Sequence, residues 1–172
     1  MNEKALNNAL KYLTIKDRTG AEMQTYLKRK EYSSQDIKEV LEYLVEMNYI
    51  NDNEYAIKYS KELCTRGNGS GKVKNELVKK GISGEIIKQV MAESDDFDIA
   101  IEKEKALEQA KKIILNNFDE LKISYSDDFE TKKIKYKAQQ QLKGKIGRRL
   151  ISKGYSQDIV FSVINDICKE YL

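Results

Sequence analysis

Apolar residues recur along the chain at three- and four-residue steps, and nowhere with the two-residue alternation of a strand. Leu6, Leu10 and Leu13 form one row, Ile37, Val40, Leu41 and Leu44 a second, and Val160, Val163, Ile164 and Ile167 a third. Shorter apolar pairs stand between the rows: Met23/Leu27, Val73/Leu77 and Ile146/Leu150. The pattern predicts an all-α protein.

One phrase occurs three times. "LKRKEYSSQDIKEVL" starts at Leu27, "LVKKGISGEIIKQVM" at Leu77 and "LISKGYSQDIVFSVI" at Leu150, with spacings of 50 and 73 residues. Each reads as the end of a short helix, a tight turn and a second helix. Ser33, Ser83 and Ser156 coincide and are suited to cap the second helix, because a serine oxygen accepts from a free N–H of the first turn. The residue before each serine (Tyr32, Ile82, Tyr155) and the fourth after it (Ile37, Ile87, Val160) form a hydrophobic staple. Asp36, Glu85 and Asp158 add negative charge at the positive helix end. Gly81 and Gly154 stand where the preceding helix must end in a left-handed turn, while Glu31 holds that place in the first repeat and predicts a different or strained turn.

A further helix precedes each phrase. The first carries Leu6, Leu10 and Leu13. The second, "NDNEYAIKYSKEL", opens with a capping box from Asn51 to Glu54 and an Ile50–Tyr55 staple, with Tyr55, Tyr59 and Leu63 expected in the core. Three helices per unit give boundaries of 1–50, 51–93 and 94–172. Units of about 45 residues are marginal alone, so stacking into an elongated, curved array is expected. The third unit carries an insertion. Residues 97–118 read as a helix, "DELKISYSDDFE" as a connection and 129–142 as a second helix, either of which is eligible as the equivalent of helix one.

Candidate chemistry is sparse. The chain has 172 residues, a charged fraction of 34%, a hydrophobic fraction of 40%, no histidine and no proline. The commonest general base and metal ligand is therefore missing. "GNGSGKVK" imitates a phosphate loop but fails on spacing: Arg66 stands five residues before Gly71, and Val73 follows Lys72. It reads as a flexible joint between helices. Cys64 and Cys168 have no paired spacing and read as reduced thiols. No metal, no cofactor and no enzyme activity are expected. With no apolar run of bilayer length and no signal peptide, a monomeric cytoplasmic protein without membrane contact is expected.

Charge distribution says more than the net +3. A DNA-reading second helix needs a neutral or basic face. Ser34 to Asn48 instead carries Asp36, Glu39, Glu42 and Glu46 against Lys38, a net −3. The basic residues lie on the middle helices and their flanks. Thr131 to Gly154 holds nine Lys or Arg and no acid, whereas Ser94 to Glu108 holds six acids and two bases. An anionic partner, either nucleic acid or an acidic protein groove, is indicated.

"ALNNALKYLTIKDRTGAEMQTYLKRK", "MNYINDNEYAIKYSKELCTRG" and "GKVKNELVKKGISGEIIKQVM", in this order, resemble successive blocks of the RecX family, regulators of the RecA recombinase. The "YINDNEYA" block, with Asp52, Tyr55 and Ala56, and the "ELVKKGI" block carry most of the likeness. It covers residues 5–91, loosens over 98–117 and resumes at "GRRLISKGYSQDIVFSVI"; the insertion near 118–131 departs from it. Some members have an added N-terminal segment, which makes this a short member or a shortened chain. The resemblance implies tandem three-helix repeats, binding to the RecA filament, and damping of its ATPase, strand exchange and co-protease activity. It also implies contact with single- or double-stranded DNA. An array lying in the filament groove, or capping its growing end, acts without bond-making chemistry. Charge and position select Arg18, Arg29, Lys30, Arg66, Lys72, Lys74, Lys79, Lys80, Lys145, Arg148, Arg149 and Lys153 as the contacting residues. A stand-alone helix-turn-helix DNA-binding protein is the alternative, and an inert helical scaffold a third reading.

Overall fold

The computed structural model describes residues 2–116 and 129–171. Among them are nine α-helices and no strand. The first trio is α1 (Glu3–Leu13), α2 (Gly20–Arg29) and α3 (Ser34–Glu46). The second is α4 (Asp52–Thr65), α5 (Ser70–Lys79) and α6 (Gly84–Glu93). A 3-10 turn at Asp95–Phe97 leads to α7 (Ile99–Leu115), α8 (Phe129–Ser152) and α9 (Gln157–Tyr171). All but the last two residues of the connection "DELKISYSDDFE", and most of the 118–131 insertion, lie outside the described residues; Phe129 and Glu130 open α8.

Caps set the helix starts. Asn2 accepts from Ala5 N, Ser33 from Asp36 N, and Asp98 from Ala100 N and Ile101 N. Thr19 and Glu22 form a complete capping box at α2. Ser83 and Ser156 accept from Ile86 N and Ile159 N, both at 3.3 Å. A cap of this kind stabilises by about 1 kcal/mol.

The chain divides into two compact units, residues 1–62 with 74–93, and residues 63–73 with 94–172, so that the dividing line passes through α4 and α5. In the first unit α1, α2 and α3 pack on one another around Ala5, Ala9, Met23, Leu27, Ile37, Val40, Leu44 and Ile50. Met23, Leu27 and Leu44 are fully buried. Each such side chain contributes about 2–3 kcal/mol of hydrophobic stabilisation. In the second unit α7, α8 and α9 enclose Ala106, Ala110, Ile114, Leu142, Ile146, Leu150, Tyr155, Ile159, Val163 and Ile167.

Three features differ from expectation. The helix expected over 129–142 and the short one carrying Ile146 and Leu150 are a single helix, α8. Gly147 lies inside it without breaking it, and a Cβ there would make only an ordinary 3.5 Å contact with Ile164 Cδ1 of α9. With α8 as the middle helix, α7, which packs on both α8 and α9, takes the place of helix one. Tyr55 and Tyr59 are half-buried rather than core and meet as a tilted pair at 5.7 Å. "GNGSGKVK" does connect α4 and α5, but it is pinned by hydrogen bonds described below.

Candidate functional site

The same joint is built once in each unit. In the first, the N-terminus of α2 meets the residues just past α5. Thr19 Oγ1 donates to the Lys80 carbonyl at 2.7 Å while accepting from Glu22 N at 3.1 Å, so both capacities of this fully buried hydroxyl are used. Gly20 N donates to Asp52 Oδ1 at 2.9 Å, which gives the acid of the "YINDNEYA" block a structural task. Gly81 is left-handed, with φ 75°, and a Cβ on it would strike Ala21. Only glycine meets both demands.

In the second joint the N-terminus of α5 meets the residues just past α8. Gly69 N donates to the Lys153 carbonyl at 2.8 Å and Gly71 N to the Gly154 carbonyl at 3.0 Å. Ser70 N and Oγ both donate to the buried Glu102 carboxylate, the counterpart of Asp52. Gly154 has φ 85°, and a Cβ there would strike the Lys72 backbone. Tyr155 donates to the Gly67 carbonyl at 3.2 Å, and burial pushes its phenol up to about 12. The glycines of the supposed flexible joint therefore serve close backbone approach.

The joints part company in charge. Lys80 and Lys153 occupy the same place, as do Glu22 and Lys72. Lys80 Nζ lies 2.6 Å from Glu22 Oε1, with both side chains about one-fifth exposed, and 5.7 Å from the Tyr59 ring centre. The Glu22 hydrogen bond raises the Lys80 ammonium above its ordinary value against the effect of burial. Burial acts against the Glu22 carboxylate too, but Lys80, the Thr19 N–H and Arg18 outweigh it and hold Glu22 below its ordinary value. Lys153 Nζ instead donates to the Arg66 carbonyl at 2.7 Å. Burial, then the charges of Arg149, Lys72 and Lys112, depress the Lys153 ammonium.

The remaining selected residues fall in two groups. In the first unit the Tyr12 and Tyr26 rings stack at 4.0 Å and 7°. The Arg18 guanidinium lies 4.1 Å from the Tyr12 centroid and Lys30 Nζ 5.9 Å from that of Tyr26. Arg18 Nε is buried without a hydrogen-bond partner. Beside the stack a cleft of about 330 Å³ is lined by Glu22, Tyr26, Arg29, Lys79 and Lys80 among others. Lys79 pairs with Glu76 at 2.9 Å, and Lys74 is exposed. In the second unit Arg66, Lys145, Arg148 and Arg149 are exposed, and Lys72 and Lys153 half-buried. Sequence reasoning missed Lys112, which follows an acid-rich stretch and shows its place only once α7 is set against α8. It also missed the Tyr12–Tyr26 stack; the one signal was two tyrosines flanking a basic loop.

No group of three or more Cys, Asp or Glu gathers to hold a metal among the described residues. Cys64 is buried and its thiol is pushed by that burial to about 11, far from a reactive thiolate. No described helix is long and apolar enough to cross a membrane.

Two family models match in order: RecX, first three-helix domain, over residues 5–44, and RecX, second three-helix domain, over residues 51–91. The Regulatory protein RecX of Listeria welshimeri is 35% identical over 160 residues, covering 92% of this chain and 52% of that protein. That of Bacillus thuringiensis is 33% identical over 173 residues, covering 99% of this chain and 54% of that protein. The chain thus spans about half the length of these relatives. A crystal structure of RecX from Lactobacillus salivarius superposes with a TM-score of 0.75 at 24% identity, over 97% of this chain and 96% of the other. A second RecX crystal structure gives 0.72 at 22%, over 95% and 71%. These likenesses agree on an all-α fold of helical trios. With both domain models matched in sequence order and relatives of one name aligned along nearly its whole length, the chain belongs to the RecX family.

Proposed function

We propose that the protein binds RecA–DNA filaments and inhibits the recombinase's ATPase, strand exchange and co-protease activity, restraining recombinational repair and the SOS response. It acts as a cytoplasmic monomer, by occupying a surface and not by catalysis. The in-order match of the two three-helix domains carries this reading. The charge pattern supports it: basic residues cluster at the middle helices and their ends, where a partner of opposite charge is drawn in. The acidic face of α3 weighs against the helix-turn-helix alternative, since Asp36, Glu39, Glu42 and Glu46 oppose a phosphate-lined groove.

The test is RecA's DNA-dependent ATPase with added protein. Inhibition at near-stoichiometric ratios is expected, and its absence overturns the reading. A gel shift with duplex DNA alone separates the alternative, which requires tight, sequence-specific binding without RecA.

A further inference from the structure

The first joint shows what this architecture does with a half-buried lysine: it sets a carboxylate against it. The second joint keeps the backbone and the lysine but replaces the carboxylate with Lys72. Arg149, one helical turn before Lys153 on α8, and Lys112 on α7 add to the same field. Glu102, set against the start of α5, is committed to Ser70. No carboxylate pairs with Lys72, Lys112, Arg149 or Lys153 among the described residues. Lys72 also stands in the first turn of α5, which holds no acid, where the helix dipole disfavours a cation.

Nothing in the fold requires this arrangement, because the first joint closes on the equivalent lysine carbonyl and left-handed glycine without it. A local departure that raises the energy of the free protein marks a place where something else supplies the missing charge. The geometry points to the second joint as a phosphate-contact site for the backbone of DNA, with Lys72, Lys112, Arg149 and Lys153 as the contacting cations. Phosphate contacts are made by Lys and Arg brought from several elements, and they position the nucleic acid without reading its sequence. Protein interfaces are depleted in lysine, so three lysines and one arginine in a single patch fit a phosphodiester chain better than an acidic protein surface. The site refines the filament reading by naming where DNA is touched, yet it does not require RecA to be present.

Binding of a fluorescent single-stranded oligonucleotide, and of the same sequence as duplex, is measured by anisotropy across a salt series without RecA. Lys72→Glu rebuilds the first joint's ion pair. It should weaken binding roughly tenfold at low salt and reduce the magnitude of the salt slope by about one. Lys72→Gln should weaken binding about threefold. Both should melt no lower than the parent. Lys88→Glu, an equal charge change on the exposed part of α6, is the control and should shift binding less than about twofold. Equal losses for Lys72→Glu and Lys88→Glu, or no loss for Lys72→Glu, overturn the proposal. So does a Lys72→Glu variant that binds DNA normally but no longer inhibits RecA, which assigns the patch to an acidic protein partner. If the parent inhibits RecA yet binds no oligonucleotide, this site is wrong and the filament reading stands. DNA binding that follows the predicted pattern without RecA inhibition has the opposite meaning.

Discussion

At the first joint Lys80 faces Glu22 across 2.6 Å, and at the second Lys72 takes the place of Glu22 near Lys153. In both, the lysine carbonyl accepts a hydrogen bond from the start of the neighbouring helix, from the Thr19 hydroxyl in one and the Gly69 N–H in the other. Both use a glycine in left-handed geometry to let the neighbouring helix start against it, and both use a carboxylate from helix one of the following trio to satisfy an N–H of that helix. Stacking therefore needs the turn, the close approach and the helix-one acid. It does not need the ion pair. The turn after α2 completes the comparison. Tyr32 N donates to the Leu27 carbonyl as Ile82 N does to Leu77 and Tyr155 N to Leu150, and Glu31 is left-handed with φ 62°. Glu31 is exposed, whereas a Cβ at Gly81 or Gly154 would strike the start of the neighbouring helix. Glycine at this position marks a turn that the neighbouring helix start approaches closely.

The largest effect should come from closing the space at either joint. Gly81→Ala and Gly154→Ala each combine left-handed strain with a collision against the neighbouring helix, and each should destabilise by about 2–4 kcal/mol in denaturant melts. Next is Thr19→Val, which removes the cap and the bond to the Lys80 carbonyl together. It should cost about 1–2 kcal/mol by the same measurement. The Glu22 charge should show in the pH dependence of stability. A carboxylate held below its ordinary value contributes stability that is complete above the unfolded-state value and is lost as pH falls through the folded one. Melts of the parent taken downward from the ordinary carboxylate range should lose this contribution, whereas Glu22→Gln should lack that segment of the pH dependence. The smallest effect has the opposite sign. Glu31→Gly relieves the left-handed strain with nothing to collide with, and should stabilise by about 0.5–1 kcal/mol.

Much of the fold is written in local patterns. The serine caps, the left-handed turns at Gly81 and Gly154, and the pairs Met23/Leu27, Val73/Leu77 and Ile146/Leu150, all buried, depend on residues within one or two turns of each other. The site is less legible, because its contacts join residues distant in the chain. Thr19 meets Lys80 across 61 residues and Lys153 meets Arg66 across 87, and no periodicity carries that register. The list of basic residues selected by charge alone therefore mixed two kinds. Lys79 and Lys80 are held by Glu76 and Glu22, whereas Lys72, Lys112 and Arg149 all act on Lys153 and no carboxylate pairs with any of the four among the described residues. The glycines of "GNGSGKVK" misled for the same reason: loop freedom and close helix contact call for the same residue, and only the position of α8 separates them.

The claim that the second joint is closed without needing its positive charge is tested most directly by charge reversal at the two equivalent positions, read as thermal melting. Glu22→Lys should lower the melting temperature by several degrees, as it leaves Lys80 facing a like charge in a half-buried place. Lys72→Glu should leave the melting temperature unchanged or raise it. A Lys72→Glu variant that melts as low as Glu22→Lys would show that Lys72 is a structural requirement of the joint, and would contradict the account.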